Sequence, residues 1–200
     1  YRKKARGVDG LIGCRTLHER WDETPLCGPN EHGDYCEDFF GGDLAGITEK
    51  LDYLASLHVT TLYLNPIFEA ASNHRYDTAD YETVDPLLGD EQDFRTLCTE
   101  AEKRGIRVML DGVFNHVGRG FFAFRDVQEK KWDSPYKDWF HLNFDGNSAY
   151  NDGFWYEGWE GHYELVKLNL YNPTVVEYLL NCVGRWIDEF GIDGLRLDVA

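Results

Sequence analysis

One unit recurs along this chain and limits the folds open to it: an amphipathic helix closed by glycine, then a short apolar strand that ends in a polar residue. Asp90 to Arg104 carries Phe94, Leu97 and Ala101 at helical spacing, Gly105 supplies a C-terminal stop, and Ile106-Arg-Val-Met-Leu-Asp111 follows as a strand. Pro173 to Phe190 repeats the pattern, with proline in the first turn, Gly191 at the end and Ile192-Asp-Gly-Leu-Arg-Leu-Asp198 as the next strand. Ahead of both, Asp43 to Leu57 places Leu44, Ile47, Leu51, Leu54 and Leu57 three or four apart, and the run Val59 to Asn65 stops at Pro66. Short apolar strands separated by helices form a parallel sheet with helical crossovers, so the class is α/β. Val8 to Cys14 is the candidate first strand, which makes four.

Roughly sixty residues lie between Asp111 and Pro173, where α/β loops usually hold about two to six. That length marks an inserted subdomain, rich in aromatics and leaving the C-terminal end of a strand, which is the active face of open sheets and barrels alike. Ala200 directly follows a strand with no helix to cover it, whereas a parallel strand is normally buried on both faces. Four units and an insert amount to half of an eight-stranded TIM barrel, which typically needs about 250 residues. The expected organisation is barrel strands one to three over residues 1–116, the inserted subdomain over 117–170, and barrel helix three with strand four over 171–200.

Composition bounds the partners. With 28% charged and 42% hydrophobic residues the chain is globular rather than disordered. A net charge of −16 opposes the basic footprint that nucleic acid or an anionic membrane requires, and no apolar run approaches the ~18 residues of a membrane span. Neutral or cationic partners are expected. Cys14, Cys27, Cys36, Cys98 and Cys182 are odd in number and form no Cys-x-x-Cys, so neither a disulfide framework nor a zinc ribbon is indicated. They read mostly as buried thiols, with Cys27 and Cys36 close enough in one loop to pair. The cysteine count, and an opening without a signal peptide, lean toward the cytoplasm.

Asn65, Asp111 and Asp198 each end a strand, and in a barrel they would converge on one rim. Period-two alternation puts Arg196 and Asp198 on one face, where a guanidinium supports the carboxylate's charge and fixes its direction, as a carboxylate nucleophile needs. An ordinary Arg–Asp pair fits the same spacing. His116 reads either as a hydrogen-bonded loop residue or, with Asn115 and Asp111, as part of a site. Asp111 and Asp198 as metal ligands would want a further carboxylate or His on an adjacent strand, which Asn65 does not provide.

Asp111-Gly-Val-Phe-Asn115-His116 resembles the first signature of the α-amylase family of glycoside hydrolases, and Gly194-Leu-Arg196-Leu-Asp198-Val-Ala200 resembles its second. Gly41-Gly-Asp-Leu-Ala-Gly46, Asn73-His-Arg-Tyr-Asp-Thr-Ala-Asp-Tyr81 and Gly158-Trp-Glu-Gly-His162 through Lys167-Leu-Asn169 look like the neopullulanase, cyclomaltodextrinase and maltogenic amylase branch. The resemblance covers about residues 40 to 200 and implies a barrel with a domain inserted after strand three.

It also implies a retaining mechanism on α-glucans, with Asp198 as nucleophile through a covalent glycosyl intermediate and Arg196 keeping it charged. By the same resemblance His116 would hydrogen-bond the sugar's hydroxymethyl oxygen, Tyr76 would stack on its face, Asp111 would support the site, Asn115 would pin the loop, and Asp77 would close the wall by pairing with an Arg outside this chain. The family's general acid and third carboxylate would lie beyond Ala200, so the chain alone is expected to be inert. The same intermediate can pass to a sugar hydroxyl, which makes a transglycosylase one alternative; a non-catalytic sugar-binding relative is the other. No cofactor is required by this chemistry. A structural calcium on Asp43 and the Gly41 carbonyl competes with Asp43 as a helix cap. Trp159, Glu160 and His162 are rim candidates, and members of the branch pair as homodimers through an upstream domain.

Overall fold

The computed structural model describes residues 16–29, 36 and 38–199. The Val8 to Cys14 strand lies outside the described residues.

Among the described residues three parallel strands form the central sheet: β3 (Thr61–Leu64), β6 (Arg107–Gly112) and β12 (Gly194–Leu197), with β6 in the middle. The register pairs Tyr63 with Met109 on one side and Arg196 with Asp111 on the other. Val108 and Leu110 of β6 are buried in the cluster that holds Phe94, Leu97 and Ala101 of α3 (Glu91–Glu102), so the opposite face of β6 carries Met109 and Asp111. α3 starts at a capping box, in which Asp90 accepts the Asp93 N–H at 2.9 Å and Asp93 accepts the Asp90 N–H at 3.1 Å. Gly105 ends that helical segment at φ +67°, and Gly191 ends the last one at φ +68°.

Two helical expectations change in detail. The Asp43 to Leu57 segment is not one helix but two, α1 (Leu44–Glu49) and α2 (Leu51–Ser56), broken at Lys50 with φ −102° and ψ 1°. Thr48 Oγ1 donates to the Leu44 carbonyl at 3.0 Å, a side-chain bond that competes with the helical ladder just ahead of the break. Past the break Leu51 is still buried and Leu54 packs against the core, while Leu57, at the C-cap, is exposed. In the Pro173 to Phe190 segment, α5 (Pro173–Arg185) widens into a π-helical turn over Trp186–Phe190. There Trp186 is buried and its Nε1 donates to the Tyr81 carbonyl at 3.0 Å.

Residues 116–167 hold β7 (His116–Gly118), α4 (Phe122–Lys130), β8 (Leu142–Asn143), β9 (Trp155–Tyr156), β10 (Gly158–Trp159) and β11 (His162–Lys167). β7, β11 and β10 form an antiparallel sheet, with β11 in the middle. The aromatics of this stretch are mainly packing residues: Phe121, Phe124, Phe154 and Tyr156 belong to the same continuous buried cluster as Phe94, Val108 and Trp186. Among the described residues two further strand pairs complete the sheets: the hairpin β4 (Phe68–Ala70) with β5 (Thr78–Val84), and the parallel pair β1 (Thr16–Leu17) with β2 (Asp38–Phe39).

Among the described residues, no helix is long and apolar enough to cross a membrane. Cys98 and Cys182 are buried, and burial pushes their thiols up to about 12 and about 11. Cys27 and Cys36 instead lie at the surface, and Cys27 carries a free thiol, so the Cys27–Cys36 pairing is not formed.

Candidate active site

Register builds the site. Arg196 of β12 sits opposite Asp111 of β6, and alternation carries Asp198 to the same side two residues on. One guanidinium nitrogen, Arg196 Nη1, donates to Asp111 Oδ1 at 3.1 Å, to Asp111 Oδ2 at 3.2 Å and to Asp198 Oδ1 at 2.6 Å. These hydrogen bonds raise the basicity of Arg196 further above its usual range. Asp111 is buried, and its Oδ2 also accepts the hydroxyls of Tyr76, at 2.8 Å, and of Tyr63. Burial pushes both phenols up, so they stay neutral donors.

The Tyr76 loop is held from behind. Arg75 adopts φ +61° and its buried side chain pairs with the fully buried Asp85, Nε to Oδ2 at 2.7 Å, while Nη1 donates to the Asn73 carbonyl at 3.0 Å. Asp77 accepts the backbone N–H of Ala71 at 3.1 Å and of Ser72 at 3.1 Å, as well as the Ser72 hydroxyl. Its carboxylate therefore closes the 71–77 turn; no arginine partner meets it among the described residues.

His116 opens β7 and is buried, which lowers its pKa from the ordinary histidine value by desolvation. The Asn115 amide nitrogen lies 3.1 Å from His116 Nδ1 and donates to it, which leaves Nε2 as the N–H donor. That Nε2 is buried without a hydrogen-bond partner. Asn115 also fixes its loop through its carbonyl, which accepts the Leu168 N–H at 2.9 Å. Gly118 explains how β7 comes so near the Tyr76 loop: a Cβ there would stand 2.2 Å from the Asp77 carbonyl oxygen.

Tyr76, His116 and Asp198 line one open cavity of about 460 Å³, together with His74, Trp159 and His162. Trp159 and His162 stand at the tip of the β10–β11 hairpin, with their rings 5.8 Å apart and Trp159 5.9 Å from the His116 ring. Glu160 makes the turn between them at φ +48°. A larger hollow of about 690 Å³, between Glu69, Asp85 and the start of α3, holds none of these residues.

Asn65 does not join the rim with Asp111 and Asp198. β3 ends at Leu64, and Asn65 lines a separate hollow beside Asp43 and Pro66. Tyr63, two residues earlier, is the β3 side chain that reaches Asp111; its place on the Asp111 face could have been read from alternation once the register was known. The Arg75–Asp85 pair left no signal in the sequence, because its partners meet only across the β4–β5 hairpin.

Asp43 Oδ1 accepts the Gly46 N–H at 2.7 Å and caps α1, while Oδ2 is buried without a partner. Gly41 turns the chain just before it at φ +75°. Calcium takes about six to eight oxygen ligands. Among the described residues no group of three His, Cys, Asp or Glu side chains is placed to hold a metal ion.

The family described as alpha amylase, catalytic domain, matches residues 13–200. An intracellular maltogenic amylase of Bacillus subtilis is 50% identical over 164 residues, 82% of this chain and 27% of the relative. A cyclomaltodextrinase of Geobacillus thermopakistaniensis is 50% identical over 163 residues, 81% of this chain and 27% of the relative. Among solved structures, a cyclic alpha-maltosyl-(1→6)-maltose hydrolase from Arthrobacter globiformis superposes with a TM-score of 0.80 at 41% identity, over 96% of this chain and 41% of that one. The chain thus spans about a quarter of the length of the curated relatives it matches.

Proposed function

The chain belongs to the alpha-amylase family of glycoside hydrolases, and from that premise we propose that it supplies the nucleophile side of a retaining enzyme acting on α-glucans. The observation that carries the reading is Arg196 bridging Asp111 and Asp198 at a cavity that also holds Tyr76 and His116. Asp198 attacks the anomeric carbon and forms a glycosyl ester through an oxocarbenium-like transition state. Arg196 holds the attacking carboxylate in direction. The Nε2–H of His116, free of protein partners, donates to the sugar's hydroxymethyl oxygen, and the Tyr76 ring packs on the sugar's face.

In this reading the leaving oxygen takes its proton from a Glu of the full-length protein outside these 200 residues, and the isolated chain is inert. Residues 117–170 form the inserted subdomain of a TIM barrel, of which this chain carries about four units. The site works without a cofactor. A cytoplasmic enzyme that pairs as a homodimer completes the proposal; the first part is supported by the likeness to a relative named as intracellular.

The test is cleavage of maltotriose, cyclodextrin and pullulan by the full-length protein, read as new reducing ends, with Asp198→Asn as control. Cleavage that disappears in the variant is the expected result. A full-length protein that binds these sugars without cleaving them overturns the hydrolase reading.

A further inference from the structure

Tyr63 is the one β3 residue tied to the site, and its environment is unusual for a strand residue. Tyr63 stands outside the buried apolar cluster of the described residues. Its hydroxyl is nevertheless committed to a buried carboxylate, Asp111. On Asp111 that hydroxyl shares Oδ2 with the Tyr76 hydroxyl at 2.8 Å and with Arg196 Nη1 at 3.2 Å. The carboxylate is thus shared between the loop that bears Tyr76 and the arginine that faces Asp198 at 2.6 Å.

We propose that Tyr63 is a positioning residue of this site, whose hydroxyl fixes Asp111 and thereby sets both the Tyr76 ring and the Arg196–Asp198 pair. The inference rests on the function proposed above. A buried carboxylate keeps its direction only while its lone pairs are filled by donors of fixed position. Tyr76 lies on a loop and Arg196 on a long side chain, whereas Tyr63 projects from a strand locked in register against β6. Without the Tyr63 hydroxyl, Asp111 is free to rotate toward either remaining donor, and Arg196 moves off Asp198. Phenylalanine at position 63 keeps the ring and removes only this control.

The experiment is a double-mutant cycle in the full-length protein, with Tyr63→Phe and Asp111→Asn made singly and together. Tyr63→Phe should lower kcat on the order of 10-fold, as expected for one hydrogen bond to a charged group, with KM within about twofold and the protein still fully folded at the assay temperature. In the Asp111→Asn background the same change should cost almost nothing further, because its effect runs through Asp111. Unchanged kcat in Tyr63→Phe, or an equal loss in both backgrounds, overturns the proposal. So does a rise in KM alone, which would make Tyr63 a plain substrate contact. If the wild type binds maltotriose without cleaving it, the function proposed above fails, and the cycle is then read in Kd with the same criterion of non-additivity.

Discussion

Arg196 faces Asp198 with the same nitrogen that it offers to Asp111: Nη1 lies 2.6 Å from Asp198 Oδ1 and 3.1 Å from Asp111 Oδ1. Asp111 is fully buried and Asp198 only partly, so the buried carboxylate acts as the anchor and the other as the group presented to the cavity. In the full-length protein Arg196→Gln, which removes the charge, is expected to lower kcat by about 10² or more. Arg196→Lys keeps the charge on a shorter, unforked side chain and should lose less. Steady-state kinetics of the two variants check the order.

His116 and His74 both have their pKa lowered from the ordinary value of 6.5 by burial. The folded state then binds fewer protons than the unfolded state below that value, so stability should fall as pH drops through about 6.5 and rise again on return to neutrality. Denaturant midpoints at pH 7.5 and 5.5 should differ less in His116→Gln than in the wild type. An identical pH dependence in the two proteins would remove His116 as a source of it.

Gly118 leaves no room for a side chain, since a Cβ would stand 2.2 Å from the Asp77 carbonyl oxygen. Gly118→Ala should destabilise by about 1–3 kcal/mol, the usual cost of overpacking, by pushing β7 away from the 71–77 turn. Because β7 begins at His116, affinity for maltotriose should fall with it. Thermal melting and calorimetry on the one variant report both effects.

Arg75 and Asp85 form a buried pair behind the Tyr76 loop, their side chains 10% and 1% exposed. Asp85→Ala leaves the guanidinium buried and unpaired, at a cost of roughly 3–5 kcal/mol. The double variant Arg75→Met with Asp85→Ala removes both charges and should recover part of that loss, measured by urea unfolding.

Cys27 is a free surface thiol, whereas Cys98 and Cys182 are buried with thiols raised to about 12 and about 11. A thiol-specific reagent should label Cys27 in the native protein and reach Cys98 and Cys182 only after unfolding. Peptide mapping of the labelled protein before and after denaturation separates the two classes.

The sequence by itself determined the parallel α/β class, because helix spacing, a closing glycine and an apolar strand are all local signals within a few residues. Phe94, Leu97 and Ala101 recur at helical spacing and are buried; Gly105 and Gly191 take the left-handed conformation that their positions after helices required. Arg196 and Asp198 were likewise legible, since period-two alternation needs only neighbours two residues apart. The tertiary structure alone decided which distant groups meet. Tyr63 rather than Asn65 reaches Asp111 because the β3–β6 register sets Tyr63 beside Met109, and register is a property of two strands that neither one carries. Arg75 likewise finds Asp85 only because the β4–β5 hairpin brings the two together, a pairing that the order of residues within neither strand announces.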